Sequence, residues 1–213
     1  GISLEDIVTD WSIIDTTILD LTKFGVSVVF DWNKMKQTDF TGDNFRISRC
    51  LIENVNNAMN ENKKIGNGYA IFLARGSLIN ITDTYIEDYD AEEGHFAYGI
   101  YANGITDGSR LLQLNLLRNN VGSESKGSIS IYLENQWYGN ISGNHLGPGK
   151  QQVFQRNSSR WIQIGENYFT GNSRESYRLD GINSLAYDLS NNGILGSRGT
   201  IDKGFINNRY SVK

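Results

Sequence analysis

The chain has 213 residues, long enough for one sizeable core, with a net charge of −4 and a pI near 5.2. That balance gives no electrostatic reason to expect binding to nucleic acid or to an anionic membrane, and no apolar run approaches membrane-spanning length. A single cysteine excludes an internal disulfide and cysteine-rich zinc sites, while 23 glycines and 38% hydrophobic residues favour many short strands joined by polar turns.

A short hydrophobic pattern recurs seven times along the chain. Each copy has an apolar anchor, a second apolar residue five positions later, and Asn, Asp, Gly or Pro seven positions after the anchor. The anchors are Ile13, Ile47, Ile81, Leu112, Ile141, Ile164 and Ile201. Their spacings of 34, 34, 31, 29, 23 and 37 residues are too uneven for a strict array, but loop insertions in a solenoid produce such variation.

The third position after each anchor predicts a tight bend between two short strands. It is occupied by Thr16, Cys50, Thr84, Asn115, Asn144, Asn167 and Gly204. Asn and Gly tolerate a left-handed backbone, and Asn bonds the main chain locally. Stacking would place these side chains above one another, so we interpret Cys50 as a packed structural residue rather than a nucleophile.

A second column lies 12 to 24 residues after each of the first six anchors and pairs a small or aliphatic residue with an aromatic one. The pairs are Val29-Phe30, Ile71-Phe72, Ile100-Tyr101, Ile131-Tyr132, Val153-Phe154 and Ala186-Tyr187. Strand alternation places the first member in the core and the ring outside, except in the first pair, whose flanking residues indicate the reverse. Small residues are expected beside the rings on the outer face, where they would leave the rings accessible: Ala70, Gly99, Ser128 and Ser130.

Three short strands per repeat, separated by one tight bend and two variable loops, describe one coil of a β-solenoid. Seven coils would form a rod of roughly 30 Å, at about 4.8 Å per coil. Helices find little support, because the best candidate, residues 50–64, has five Asn and no sustained 3.6-residue period. We therefore predict an all-β chain with a single domain, residues 1–213. Because it begins with Gly1, we expect it to be a piece of a longer protein.

Two phrases carry a family resemblance: Ile131-Tyr132-Leu133-Glu134-Asn135 and Ile141-Ser142-Gly143-Asn144-His145-Leu146. They resemble the repeats of right-handed parallel β-helix proteins of the pectin-lyase-like group. That group includes pectate lyases, polygalacturonases, alginate lyases and epimerases, and the tailspikes by which bacteriophages attach to host glycans. The likeness runs from about residue 11 to 208 and implies a right-handed single-stranded parallel β-helix of about seven coils. Fold alone sets only a prior on function.

By similarity with pectate lyases, the aromatic column is the floor of a sugar-binding groove on the first strand of each coil. The predicted substrate contacts are Phe72, Tyr101, Tyr132, Phe154, Tyr187, Trp137 and Arg156. Rings offer flat apolar faces to sugar C–H groups, and Tyr adds a hydroxyl. The alternative is that larger loops or neighbouring subunits bury the rings, since aromatic residues are inside more often than not.

Candidate catalytic carboxylates are Asp88, Asp90, Glu92 and Glu93, in the densest acidic stretch, and Glu134. Glycoside cleavage needs two carboxyl groups about 5 Å apart for retention or roughly 6.5–9.5 Å for inversion, and one or two solenoid rungs supply such separations. A lyase or epimerase would instead need a base and a cation, for which Asp plus calcium is one solution. No known calcium-loop spacing is completed, so we predict no cofactor, with calcium as an alternative that no motif supports.

Each acidic candidate has an ordinary alternative. Clustered carboxylates on a loop are usually only solvated. Glu134 is equivalent to Asn103 and Arg156 in neighbouring coils, and an ion pair with Arg156 would keep it ionised and make it a poor general acid. No nucleophilic triad, phosphate loop or dinucleotide motif is present in the sequence.

The sequence therefore predicts surface-polysaccharide recognition, with or without depolymerisation, by a tailspike-like β-helix that works on a virion or outside the cell. We expect a homotrimer, no nucleic-acid partner and no membrane insertion. One alternative is a free-standing polysaccharide lyase, epimerase or glycoside hydrolase. The other is a rigid shaft in an oligomeric fibre, with the aromatic column as the subunit interface.

Overall fold

The computed structural model describes residues 1–5, 10–21, 24–29, 44–56, 64, 66–73, 76–103, 111–156, 160–169, 175–180, 186–188 and 205–207. Every regular element in these ranges is a β-strand. None of these segments is a helix long and apolar enough to cross a membrane.

The strands fall into successive coils of three and are numbered along the chain. The first three coils hold β1 (Ile2–Glu5), β2 (Trp11–Ile14) and β3 (Thr17–Leu21); β4 (Phe24–Val29), β5 (Phe45–Ser48) and β6 (Leu51–Val55); β7 (Gly68–Leu73), β8 (Gly76–Thr82) and β9 (Tyr85–Glu87). The next three hold β10 (Ala97–Asn103), β11 (Leu111–Leu117) and β12 (Asn120–Gly122); β13 (Ser128–Glu134), β14 (Gln136–Ser142) and β15 (His145–Leu146); β16 (Gln151–Arg156), β17 (Arg160–Gly165) and β18 (Tyr168–Phe169). The last strands are β19 (Glu175–Asp180), β20 (Ala186–Asp188) and β21 (Phe205–Asn207).

Corresponding strands of successive coils form three parallel sheets. The first sheet runs β1-β4-β7-β10-β13-β16-β19, the second β2-β5-β8-β11-β14-β17-β20-β21, and the third β3-β6-β9-β12-β15-β18. Parallel strands joined through a crossover are almost always connected right-handedly. The prediction of an all-β, right-handed parallel β-helix with three strands per coil is confirmed, with six complete coils among the described residues.

The core is built from stacked, mostly aliphatic side chains that all three sheets contribute. Ile13, Ile47, Ile81, Leu116, Ile141 and Ile164 form the stack of the second sheet, and all are buried. β-branched residues suit this arrangement because they pack well on a pleated surface. Burying each such side chain contributes about 1.5–3 kcal/mol relative to leaving it exposed.

One predicted anchor is wrong. Ile81 pairs with Leu116, whereas Leu112 pairs with Ser77 four positions earlier on the neighbouring strand. The sequence Leu111–Leu117 carries leucine at both odd and even positions, and Gln113 has a positive φ of 59° that interrupts strand alternation. The anchor spacings consequently become 34, 34, 35, 25 and 23, and the third residue after the fourth anchor is Asn119 rather than Asn115. Ile201 and Gly204 lie outside the described residues.

At the tight bend between the second and third sheets, one residue has the left-handed backbone, and the next residue contributes the side chain of an internal column. The left-handed backbone lies one position earlier than predicted, at the second residue after each anchor, with φ between 52° and 66°: Asp15, Arg49, Asp83, Arg118, Gly143 and Glu166. The column predicted to make the bend instead forms an internal ladder. Cys50 belongs to it, and is buried with its Sγ 3.4 Å from the carbonyl oxygen of Ser48, as expected for a structural residue.

The ladder is strongest where it is made of asparagine. Asn144 Oδ1 accepts a hydrogen bond from the Asn119 main-chain N–H at 2.9 Å, and Asn144 Nδ2 donates to the Leu116 carbonyl at 2.8 Å. Asn167 repeats both bonds one coil later, to the Asn144 N–H and the Ile141 carbonyl. These side chains satisfy main-chain groups that the bend would otherwise bury unpaired.

Candidate functional site

Four of the five predicted ring residues occupy consecutive rungs of the first sheet. Phe72, Tyr101, Tyr132 and Phe154 are direct register partners. Tyr187 is not in this column, because β20 belongs to the second sheet, where Tyr187 pairs with Gln163. Trp137 also belongs to the second sheet, where it pairs with Leu112, and not to the first sheet. Phe30 lies outside the described residues.

The neighbours expected beside the rings were also misassigned. Ala70 and Ser130 are buried inside the solenoid, and a Cβ added to Gly99 would overlap the core residue Val121. Ala70 and Ile71 are consecutive and both buried at 0% exposure, so strand alternation is broken at this corner of the coil. The outer face beside the predicted rings is therefore formed by the residues before that break: Tyr69, Tyr98 and Ile129.

The result is an aromatic surface made of two ring stacks, which we call the ring face: Tyr69, Phe72, Tyr98, Tyr101, Tyr132 and Phe154, with Ile129. Tyr101 stacks on Phe72 at 5.2 Å and on Tyr132 at 4.8 Å, with interplanar angles of 4° and 3°. Tyr69 and Tyr98 stack in parallel alongside at 5.2 Å. The flat faces invoked for sugar contact are thus largely covered by neighbouring rings, and Tyr132 is only 5% exposed.

Polar side chains at the ends of the strands form hydrogen bonds with the tyrosine hydroxyls of the ring face. Tyr132 donates a hydrogen bond to Glu134 Oε2 at 2.9 Å, and Asn103 Nδ2 donates to the Tyr101 hydroxyl at 3.0 Å. Asn103, Glu134 and Arg156 are register partners, as predicted. Burial, followed by the bond to Glu134, raises the pKa of Tyr132, while the nearby Arg156 opposes the increase. Glu134 therefore accepts a hydrogen bond from the Tyr132 hydroxyl at the edge of the ring face.

Three buried tyrosines, one in the core and two in the ring face, should make the protein less stable in alkaline solution. Burial raises the pKa of Tyr89, Tyr98 and Tyr132, so the folded state holds them neutral. Unfolded tyrosine ionises near pH 10, so this contribution is complete below about pH 10 and is lost as the pH rises towards the folded pKa. We expect the last tyrosinate absorbance near 295 nm to appear only as β-sheet circular dichroism is lost. Ionisation of all 11 tyrosines near pH 10 with intact dichroism would contradict this.

The acidic stretch 88–93 is folded against the solenoid at several points. Tyr89 is fully buried in the core between Asp88, which is exposed with a φ of 51°, and Asp90. Asp90 binds Lys64 and accepts bonds from Ser125 Oγ and the Ala91 N–H, both at 2.7 Å. Burial raises the pKa of Asp90, but these bonds outweigh burial and leave it lowered. Asp90 is thus an anchored carboxylate rather than a poised proton donor.

The remaining carboxylates of the stretch differ in their contacts. Glu92 accepts a hydrogen bond from the Gly66 N–H at 2.9 Å, and Glu93 is exposed. Asp88 approaches Glu53 and Glu87, which pair on the third sheet, and one carboxylate oxygen from each of the three lies within 4.8 Å of the others. Oxygen ligands suit Ca²⁺, but that ion takes six to eight of them, so three partly exposed carboxylates do not define a calcium site.

A polar groove that the sequence did not predict crosses the outer face of the second sheet. Its volume is about 520 Å³, and its lining is Asp10, Trp11, Ser12, Asn44, Arg46, Ser48, Arg49, Asn80, Thr82, Asp83 and Arg118. Ser12, Arg46 and Asn80 sit one above another on three adjacent strands. The only hint in the sequence is that each precedes an anchor by one residue, which points it outward.

Two of the three arginines in this polar groove are held by aspartates. Arg49 binds both carboxylate oxygens of Asp15 at 2.7 Å, and Arg118 binds those of Asp83 at 2.7 and 2.8 Å. The hydrogen bonds from these arginines lower the pKa of both aspartates. Arg46 is exposed and makes no ion pair within the described part of the chain.

Comparisons with known proteins identify no relative of this chain. No protein-family model, curated protein or solved structure matches this chain. The parallel β-helix is shown by the sheets themselves, whereas membership of the pectin-lyase-like group stays a prediction.

Proposed function

We propose that the protein recognises a polysaccharide, and that the chain of sugars lies in the polar groove of the second sheet. The observation that carries this proposal is the lining of that groove. Guanidinium, amide and hydroxyl groups from four coils converge there, supplying both donors and acceptors for sugar hydroxyls. A surface of this kind, extended along the stacked coils, suits an elongated polar ligand.

The strands hold these polar groups in place before a ligand arrives. Thr82 Oγ1 donates to Ser48 Oγ at 3.1 Å, and Asn115 Nδ2 donates to Asn80 Oδ1 at 2.9 Å. The main chains of Ser48, Asn80 and Thr82 are fixed by parallel pairing on both sides. Less side-chain freedom is therefore lost on binding, which favours affinity.

The lowered pKa values of two carboxylates, Asp83 and Asp90, favour recognition over acid catalysis by these two groups. A general acid needs a raised pKa so that it carries a proton at neutral pH. Asp83 in the polar groove and Asp90 in the acidic stretch both have lowered pKa values. With the sequence resemblance, this supports a tailspike-like attachment role outside the cell or on a virion, with depolymerisation as an additional outcome to test.

A glycan array read for both binding and degradation tests the proposal. We expect binding to at least one bacterial capsule, lipopolysaccharide or uronate polymer, without release of shorter chains. The double substitution Asn80→Ala and Thr82→Ala should weaken binding about tenfold, since it removes two hydrogen-bonding groups of about 1 kcal/mol each or less. Gln163→Ala is the matched control, because Gln163 is exposed in the same outward column but outside the polar groove. Binding that survives the double substitution would move the site elsewhere.

A further inference from the structure

We infer that the polar groove selects acidic saccharides, and that Arg46 binds a carboxylate of the sugar. This inference rests on the proposed function and names the ligand class of the same site. It follows from the contrast between Arg46 and the other two arginines of the groove.

The contrast lies in which guanidinium groups are already engaged. Arg49 and Arg118 each spend two N–H donors on an aspartate, in the bidentate geometry that arginine makes with carboxylates. Arg46 is also exposed, but has no carboxylate partner among the described residues. Within the described part of the chain, no carboxylate occupies the donors of Arg46, so we place the sugar carboxylate there.

The register partners of Arg46 do not compensate its charge. Its partners on the adjacent strands are Ser12 and Asn80, which are neutral. Arg49 and Arg118 are neutralised by Asp15 and Asp83, which leaves Arg46 and Asp10 as the charged lining residues outside these two ion pairs. Because Asp83 is bound by Arg118, Asp10 in the first coil is the lining carboxylate that would repel an anion. We therefore expect the sugar carboxylate on the Asn80 side of Arg46.

Arginine suits such recognition better than lysine does. Its planar guanidinium matches both oxygens of a carboxylate, whereas a lysine ammonium acts as a point charge. The sugar hydroxyls next to the carboxylate would meet the amide of Asn80 and the hydroxyl of Ser12. These flanking groups fix the orientation of the ligand, and Arg46 supplies the preference for an acid.

The test compares acidic oligosaccharides with their own neutral forms. The probes are oligomers of galacturonate, guluronate, mannuronate and glucuronate, together with any acidic glycan bound on the array, each before and after carboxyl reduction. We expect the wild-type protein to prefer the acidic form and to bind it more weakly as salt increases. Arg46→Gln should weaken binding of the acidic form about tenfold to a hundredfold, as expected for a lost charge-assisted hydrogen bond, and should weaken binding of the reduced form far less, by about a neutral hydrogen bond. Arg46→Lys should be intermediate.

Lys126→Gln is the charge-matched control, because Lys126 is an exposed cation outside the lining of the polar groove. Arg46 is itself exposed, so its variants should keep the wild-type melting temperature. If glycans bind but acidic and reduced forms bind equally, or Arg46→Gln reduces neither, the inference is overturned and the proposed function stands. Equal binding of sulfated oligosaccharides would overturn the carboxylate assignment. If no glycan of any charge binds, the proposed function itself fails.

Discussion

Asn144→Ala should lower the free energy of unfolding by about 3–5 kcal/mol. The side chain is buried, and its removal leaves the Asn119 N–H and the Leu116 carbonyl without their side-chain partner. An unsatisfied buried polar group costs about 1–3 kcal/mol, and the substitution creates two of them. Denaturant titration followed by circular dichroism measures the difference.

Two further variants show whether the ladder itself is responsible. Asn140→Ala changes the same residue type on the outer face of β14, where a surface substitution should cost about 0.5 kcal/mol or less. Asn144→Thr should recover part of the loss, because Thr84 occupies the same ladder column and its hydroxyl bonds the Thr82 carbonyl at 3.0 Å. Equal stability of the Asn144→Ala and Asn140→Ala proteins would refute the role assigned to the ladder.

Gly68→Ala should destabilise the fold by about 3 kcal/mol and loosen the acidic stretch. A Cβ at this position would overlap the carbonyl oxygen of Asp90 and lie 3.0 Å from the Asn56 Cβ. Both obstacles are rigid, because the Asp90 N–H is bonded to the Val55 carbonyl at 2.9 Å and Asn56 Nδ2 reaches the Asp90 carbonyl at 3.3 Å. Overpacking of this kind typically costs 1–3 kcal/mol and sometimes more.

Gly143→Asn is the matched control for this glycine. Gly143 has a φ of 66°, and the nearest obstacle to an added Cβ is the Arg118 Cγ at 3.4 Å. The corresponding residue of every other complete coil is not glycine, yet has a φ between 52° and 55°. We expect a change of about 1 kcal/mol or less, since asparagine tolerates this backbone region. Hydrogen exchange at Asp90 and Ala91 should increase in Gly68→Ala alone; unchanged exchange there would show that the acidic stretch is held by other contacts.

The solenoid could be predicted because its core is periodic. Ile13, Ile47 and Ile81 recur at 34-residue intervals, and the second apolar residue of each coil follows at a fixed distance. Errors arose where the local pattern admits two solutions. Leu112 and Leu116 are leucines of the same strand, and only the register shows that Leu116 is the one that pairs with Ile81. Tyr187 follows a small residue, as the rings of the aromatic column do. Because the distance from anchor to aromatic pair varies along the chain, spacing could not show that Tyr187 belongs to the second sheet.

The ring face and the polar groove show two different limits of sequence reasoning. Tyr69 and Tyr98 were missed because two consecutive residues turn inward at the corner, which breaks the two-residue period. Arg46 was missed because an isolated exposed arginine is ordinary in a sequence. Its significance depends on the neutral residues above and below it, and these come from different coils.

The charged residues at the left-handed bend also disfavour a misfolded stack in which one coil is left out. Their order along the solenoid is Asp15, Arg49, Asp83 and Arg118, so the sign changes at every step. A growing chain that omitted one turn would set Asp15 against Asp83, or Arg49 against Arg118, and replace attraction by repulsion at one corner. The nearly identical isoleucines of the core would pack equally well after such a shift. The alternating charges at the exposed bend therefore favour the correct register over the shifted one.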